Sequence, residues 1–85
     1  MTEFNYSISV THRFGIVTLN DFMYLNHESL VQLRDMTEDC TLNCGVKAIK
    51  LENTGYWLRG PKGDLVLTDY MITQLFEYCK KVGLL

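Results

Sequence analysis

Three cysteines and two histidines are the residues of this sequence whose chemistry could bind a metal ion. Cys40 and Cys44 are separated by three residues, which lies within the spacing of zinc ligands, and Cys79, His12 or His27 could complete a tetrahedral set. Structural zinc sites usually use two such ligand pairs, and this sequence contains one. We therefore expect a turn that contains two cysteines, a Cys79 that faces the core, and neither a metal ion nor another cofactor.

The histidines are also the unperturbed bases that a hydrolytic mechanism would need. His12 stands next to Arg13 and His27 next to Glu28, and neither lies in a recognisable nucleophile motif. The glycines match neither a dinucleotide-binding nor a phosphate-binding loop, because the segment 60–63 lacks the required spacing and a following Ser or Thr. The sequence therefore predicts a protein that is not an enzyme.

Length and composition restrict the chain to one small globular domain over residues 1–85. Of its 85 residues, 47% are hydrophobic and 21% are charged, which excludes disordered and low-complexity classes. A folded chain of this size buries slightly less than about two thirds of its surface, so it has little room for a deep pocket. The formal charge of −2 disfavours a protein whose affinity comes from neutralising phosphates.

The sequence also favours a cytoplasmic protein with no membrane partner. It has no apolar stretch near the length that a bilayer-spanning helix requires. Its three cysteines are an odd number, whereas small secreted domains usually carry a denser and even set of disulfide-bonded cysteines. We therefore expect reduced thiols.

The N-terminal half predicts a hairpin followed by a helix. Apolar and polar residues alternate in a first strand, whose apolar positions are Phe4, Tyr6, Ile8 and Val10. The β-branched run 16–19 pairs with that strand through a turn near Gly15. Asn20 and Asp21 resemble an N-cap and a first-turn acid, so we predict a helix over 21–38, with a break and a second cap near Asn26 as an alternative.

The C-terminal half predicts three strands and a second helix. The strands are expected at 46–52, 56–59 and 65–67, separated by turns at 53–55 and 60–63. The helix begins after Thr68 as N-cap and ends at Gly83. Its apolar stripe at helical spacing consists of Ile72, Leu75, Phe76, Cys79 and Val82.

The two halves echo each other in sequence. Segments 15–24 and 63–72 align without a gap and share Gly, Leu, Asp and Met, although any strand that leads into a capped helix selects similar residues. The predicted order is ββα followed by βββα. We therefore expect an α+β fold with an antiparallel sheet of about five strands and two helices on one face.

Aromatic and acidic residues favour a protein-binding function. Tyr56 and Trp57 are adjacent on a predicted strand, so their side chains point to opposite faces, and aromatic residues of this kind dominate interface hot spots. An acidic group on and after the first predicted helix could steer a basic partner, namely Glu28, Asp35, Glu38 and Asp39. We expect a non-enzymatic inhibitor or accessory factor, of the kind that phages and other mobile elements encode, which covers a surface of a larger host or cellular protein.

Three alternatives remain open at this stage. The chain could form a homodimer through a sheet edge. It could bind nucleotides or single-stranded nucleic acid on the sheet face and the basic hairpin tips, through Arg13, Lys47, Lys50, Arg59 and Lys62. In a transcription regulator, the hairpin at 59–63 would act as a wing.

Overall fold

A computed structural model describes residues 9–85 of the chain. Most of the first predicted strand, including Phe4, Tyr6 and Ile8, therefore lies outside the described residues. Within these described residues, seven strands and two helices form two consecutive units. The first unit comprises β1 (Val10–Arg13), β2 (Ile16–Leu19), β3 (Met23–Leu25) and α1 (His27–Asp35). The second unit comprises β4 (Cys40–Thr41), β5 (Lys47–Leu51), β6 (Gly55–Gly60), β7 (Gly63–Thr68) and α2 (Asp69–Lys81).

The described strands form two antiparallel sheets, where the sequence predicted one sheet of about five strands. Strand order is β1-β2-β3 in the first sheet and β4-β5-β6-β7 in the second. The helix α1 contacts β3, whereas α2 contacts β6 and β7, so the predicted placement of both helices on one face of a single sheet is not confirmed. The α+β class is confirmed, and the predicted order ββα-βββα is corrected to βββα-ββββα.

The additional strand β3 arises because Asn20 and Asp21 form a turn and do not begin a helix. Both have positive φ, 52° and 64°, as the two central residues of a type I′ turn require. The Phe22 N–H donates to the Leu19 carbonyl oxygen at 3.1 Å and closes the turn. Asn and Asp tolerate this left-handed conformation and also cap helices, so their presence predicts either structure. The predicted helix over 21–38 is therefore wrong in its first third.

Helix α1 begins at the alternative start near residue 26. The Asn26 side chain accepts a hydrogen bond from the Ser29 N–H at 2.9 Å, and its own backbone is extended. That bond satisfies one of the N–H groups that a helix leaves free at its start. Helix α1 ends at Asp35, three residues before the predicted end.

Helix α2 confirms the predicted C-terminal helix. Thr68 Oγ1 accepts from the Met71 N–H at 3.2 Å, and Gly83 follows the helix with φ of 85°. The comparison with Asn20 explains why the two echoing segments fold differently. Thr68 is β-branched and keeps an extended backbone with φ of −67°, so it caps a helix where Asn20 makes a left-handed turn.

Both units contribute to a single hydrophobic core. The first sheet and α1 bury residues such as Leu19 and Leu30, and the second unit buries Leu58, Leu75 and Cys79. The buried Ser29 Oγ of α1 accepts from the Cys44 N–H at 2.8 Å, which joins the units by a hydrogen bond as well. None of the described helices has the length and hydropathy needed to cross a bilayer.

Candidate functional site

One face of the second sheet points away from the core and carries an apolar row. Side chains alternate along β-strands, so Ala48, Leu58 and Leu65 point into the core and their neighbours point away from it. We call this the outer face. Its central residues are Lys47, Ile49, Trp57, Arg59, Asp64 and Val66, and the register places Thr41, Leu51 and Thr68 at its margins. Its apolar members pair directly across three strands in the order Ile49, Trp57 and Val66.

Trp57 lies at the centre of the outer face and is held in position by polar neighbours. Its Nε1 donates a hydrogen bond to Asp64 Oδ2 at 3.1 Å. The Arg59 guanidinium carbon lies 5.2 Å from the centroid of the indole ring, within the range of a cation–π contact. Arg59 Nε is also 3.9 Å from Asp64 Oδ2. The indole is therefore ordered before any partner arrives, although it is partly exposed.

A charged row lies beside the apolar row. Lys47 is directly opposite Arg59, and Arg59 is directly opposite Asp64. These three residues line a shallow depression of about 540 Å³, together with Cys44 and Pro61. Asp39 lines a second depression with Lys47 and Arg59, so the two cations of this row lie near two carboxylates, Asp39 and Asp64.

Tyr56 does not share the outer face with Trp57. It is half-buried, packs against the hydrophobic core, and its ring centroid lies 5.4 Å from Lys50 Nζ. The expectation that the two adjacent aromatics point to opposite faces agrees with this placement. Of the two predicted contact aromatics, the structure therefore leaves Trp57 as the one that points outward from the sheet.

The four acidic residues that the sequence grouped lie on helix α1 and on the segment that follows it. Glu28 lies in the first turn of α1, whereas Asp35 is the last residue of that helix and pairs with Arg34 at 2.9 Å. That hydrogen bond from Arg34 lowers the pKa of Asp35. Glu38 and Asp39 follow the helix, and Asp39 Oδ1 accepts from the Lys50 N–H at 2.9 Å.

These four carboxylates consequently have different surroundings. Glu38 and Asp39 line a depression of about 420 Å³ with Lys50, and Glu28 lines a different one with Val31. Two of the four are engaged within the chain, Asp35 by a cation and Asp39 by a backbone N–H.

The five basic residues of the nucleic-acid alternative are dispersed as well. Lys47 and Arg59 share the outer face, and Lys62 lies in the β6–β7 turn beside it. Lys50 instead lies over Tyr56, on the core side of the sheet. Arg13 is in the first sheet, and its guanidinium carbon lies 5.3 Å from the Phe14 ring.

Phe14 is an exposed apolar residue that the sequence reading did not select. It is 89% exposed at the tip of the β1–β2 hairpin, and its φ of 52° is costly for a bulky side chain. The sequence contained a signal for this, because a two-residue turn whose second residue is Gly15 calls for Asn, Asp or Gly at its first position. A large aromatic residue at that position runs against both burial and backbone preference.

The three cysteines differ in their surroundings. Cys79 is fully buried, and loss of hydration raises its pKa to about 11. Cys40 and Cys44 are free thiols, the latter exposed. Within residues 9–85, no three His, Cys, Asp or Glu side chains come close enough together to hold a metal ion.

The outer face is the best candidate site because it combines an ordered aromatic, an apolar row and a charged border. Comparisons with protein-family models, curated proteins and solved structures find no match to this chain. The geometry of the described residues therefore carries the functional proposal.

Proposed function

We propose that this protein is a non-enzymatic binding module that covers a surface of a larger host or cellular protein through its outer face. The proposal includes an inhibitor or accessory role in the cytoplasm, of the type that phages and mobile elements encode. The observation that carries it is Trp57, a partly exposed indole held by Asp64 and Arg59 at the centre of an apolar row.

Such an arrangement is typical of a protein-binding hot spot. Tryptophan buries a large rigid area on binding and loses little conformational entropy when neighbours already hold its ring. Ile49 and Val66 on either side supply apolar area, and Val66 is 57% exposed. The adjoining row of Lys47, Arg59 and Asp64 provides the polar border that protein interfaces have around an apolar centre.

Single-stranded nucleic acid is the second candidate ligand for the same face. Lys47 and Arg59 lie beside the indole, and a base could stack on Trp57 while they contact phosphates. Two features favour a protein. The outer face has one aromatic residue, whereas stacking platforms use several. The carboxylate of Asp64, which accepts the hydrogen bond of the indole N–H, would also repel phosphates.

The test is capture of a partner from lysate of the native cells by the immobilised full chain. We expect Trp57→Ala to weaken capture by about 2 kcal/mol, or about thirtyfold, while leaving the fold intact. Tyr24→Ala is the matched control, because Tyr24 is a half-exposed aromatic on the first sheet. Equal capture by both variants would remove the outer face as the binding site.

A parallel measurement addresses nucleic acid. If retention on immobilised single-stranded DNA or RNA falls steeply between roughly 50 and 200 mM salt, the second candidate gains and the protein-binding proposal loses. We expect weak retention at both salt concentrations.

A further inference from the structure

The strand β7 is a long edge of the second sheet, and its backbone has no described partner on the side away from β6. It ends the second sheet and pairs with β6 alone. Among residues 9–85, no backbone hydrogen bond from another element reaches its other side. Its six residues contain no proline, no lysine and no bulge, which are the usual means of protecting an edge from pairing. The opposite edge of the same sheet, β4, is two residues long.

We propose that β7 pairs with β7 of a second copy of this chain, antiparallel and centred on Val66. The two four-stranded sheets then form one sheet of eight strands. This inference goes beyond the proposed function and does not depend on it, since an edge can pair whether or not Trp57 binds another protein.

The alternation of hydrogen bonds along β7 shows which groups are available for pairing. Gly60 and Gly63 flank a two-residue turn, and the Asp69 N–H donates to the Thr54 carbonyl oxygen at 3.2 Å. Hydrogen-bonded and non-hydrogen-bonded pairs alternate along an antiparallel ladder, and Gly60 and Gly63 at the turn form a hydrogen-bonded pair. Leu65 is two residues from Gly63, so it also belongs to a hydrogen-bonded pair, and its N–H and C=O point to β6.

Val66 belongs to a non-hydrogen-bonded pair of this ladder. Its N–H and C=O point to the free side of β7, as do those of Asp64 and the N–H of Thr68, whereas the carbonyl oxygen of Thr68, the N-cap, accepts the first hydrogen bond of α2. A two-fold axis at Val66 places its backbone groups opposite those of Val66 of the second copy. The same axis places Asp64 opposite Thr68 of the second copy. The Val66 pair then exchanges two hydrogen bonds, the Thr68 N–H of each copy donates to the Asp64 carbonyl oxygen of the other, and side chains stay on matching faces.

Electrostatics favour this register over one centred on Leu65. Centred on Val66, the two Asp64 carboxylates lie four residues apart, roughly 13 Å along the strands, where salt screens most of their repulsion. A register centred on Leu65 would bring them within two residues, roughly 7 Å. The register at Val66 therefore satisfies the backbone groups with less repulsion.

The apolar row supports a second copy as the occupant of the edge. Ile49, Trp57 and Val66 lie in one line across the sheet, and the axis at Val66 continues that line into the same three residues of the second copy. Val66, which is 57% exposed in one copy, then lies at the centre of the joined row. An identical strand thus supplies both the backbone partners and the apolar neighbour that this edge lacks among residues 9–85.

The test is the oligomeric state of the full chain, measured by sedimentation equilibrium from roughly 1 to 300 µM. We expect a dimer with a micromolar dissociation constant, as a contact made by one strand edge is small. Val66→Lys should raise that constant at least about tenfold, because two ammonium groups would meet at the axis. Val66→Glu should do the same. An equimolar mixture of these two variants should restore the dimer, since opposite charges then face each other.

Thr41→Lys is the matched control, because Thr41 is an exposed residue on β4, the other edge of the sheet. It should leave the dimer intact, and circular dichroism should show the same fold for all variants. A wild-type chain that stays monomeric at the highest concentration would overturn the proposal. So would a dimer that Val66→Lys leaves unchanged, failure of the mixture to restore pairing, or a monomer that pairs along β7 with an extended peptide.

Discussion

The Nδ1 atom of His27, the first residue of α1, lies 2.8 Å from the carbonyl oxygen of Leu84 near the C-terminus. A carbonyl oxygen only accepts, so Nδ1 carries the proton in this contact. Leu84 is buried, and its own N–H donates to the Cys79 carbonyl oxygen at 2.8 Å. The contact therefore joins the start of the first helix to the segment after the second.

His27→Ala should lower the free energy of unfolding by about 1 kcal/mol, because the Leu84 carbonyl loses a part-buried donor. Urea unfolding measures the change. His12→Ala is the control, since His12 is exposed at the β1–β2 hairpin and should change the midpoint little. An equal effect of both substitutions would show that the Leu84 contact contributes nothing specific.

Asp64→Ala should release the Trp57 indole, because it removes the acceptor of the Nε1 hydrogen bond. Trp57 is the single tryptophan, so its fluorescence reports this site alone. We expect stronger quenching by acrylamide and lower anisotropy, with a stability change of about 1 kcal/mol or less. Asp64→Asn keeps an acceptor oxygen and should preserve the wild-type quenching. If both variants behave alike, the charge of Asp64 and not its hydrogen bond orders the ring.

Phe14→Asn should stabilise the protein by about 0.5–1 kcal/mol. Phe14 is 89% exposed with φ of 52°, so its replacement loses little packing, and Asn followed by Gly is the preferred pair for this turn. The urea midpoint should rise without a change in slope. Phe14→Ala is the control, because alanine does not relieve the left-handed backbone. A lower midpoint for Phe14→Asn would mean that the Phe14 ring contributes packing after all.

The three thiols should differ in reactivity. Cys44 is exposed and should react first with a disulfide reagent at neutral pH, followed by the half-buried Cys40. Cys79 should react only after unfolding, since burial both shields it and raises its pKa to about 11. Mass spectrometry after timed alkylation identifies the order. Modification of Cys79 at the rate of Cys44 would contradict its buried position.

The same pKa shift makes stability depend on alkaline pH. Well below pH 9, Cys79 is protonated in both states and adds no pH dependence, but as pH rises through about 9 towards about 11 the unfolded chain loses the proton first. Stability should therefore fall over this range, by about 2 kcal/mol or less. Cys79→Ala should show a smaller decline than wild type. Identical declines would assign the pH dependence to other groups.

Local sequence signals were sufficient for the α+β class and for the elements governed by neighbouring residues. The stripe from Ile72 to Val82 and the Thr68 cap specified α2, because a helix satisfies its backbone within one segment. The turn at 60–63 joined two strands as expected. That Tyr56 and Trp57 point to opposite faces likewise follows from strand geometry alone.

Only the tertiary structure decided the features that depend on distant residues. Asn20 can cap a helix or enter a left-handed turn, and the pairing of β3 with β2 selects the turn. The core decides that Trp57 and not Tyr56 faces outward, because burial of Leu58 fixes which side of β6 is inside. Short-range spacing contains no information about these contacts, since their free energy arises when segments far apart in the chain exclude water together.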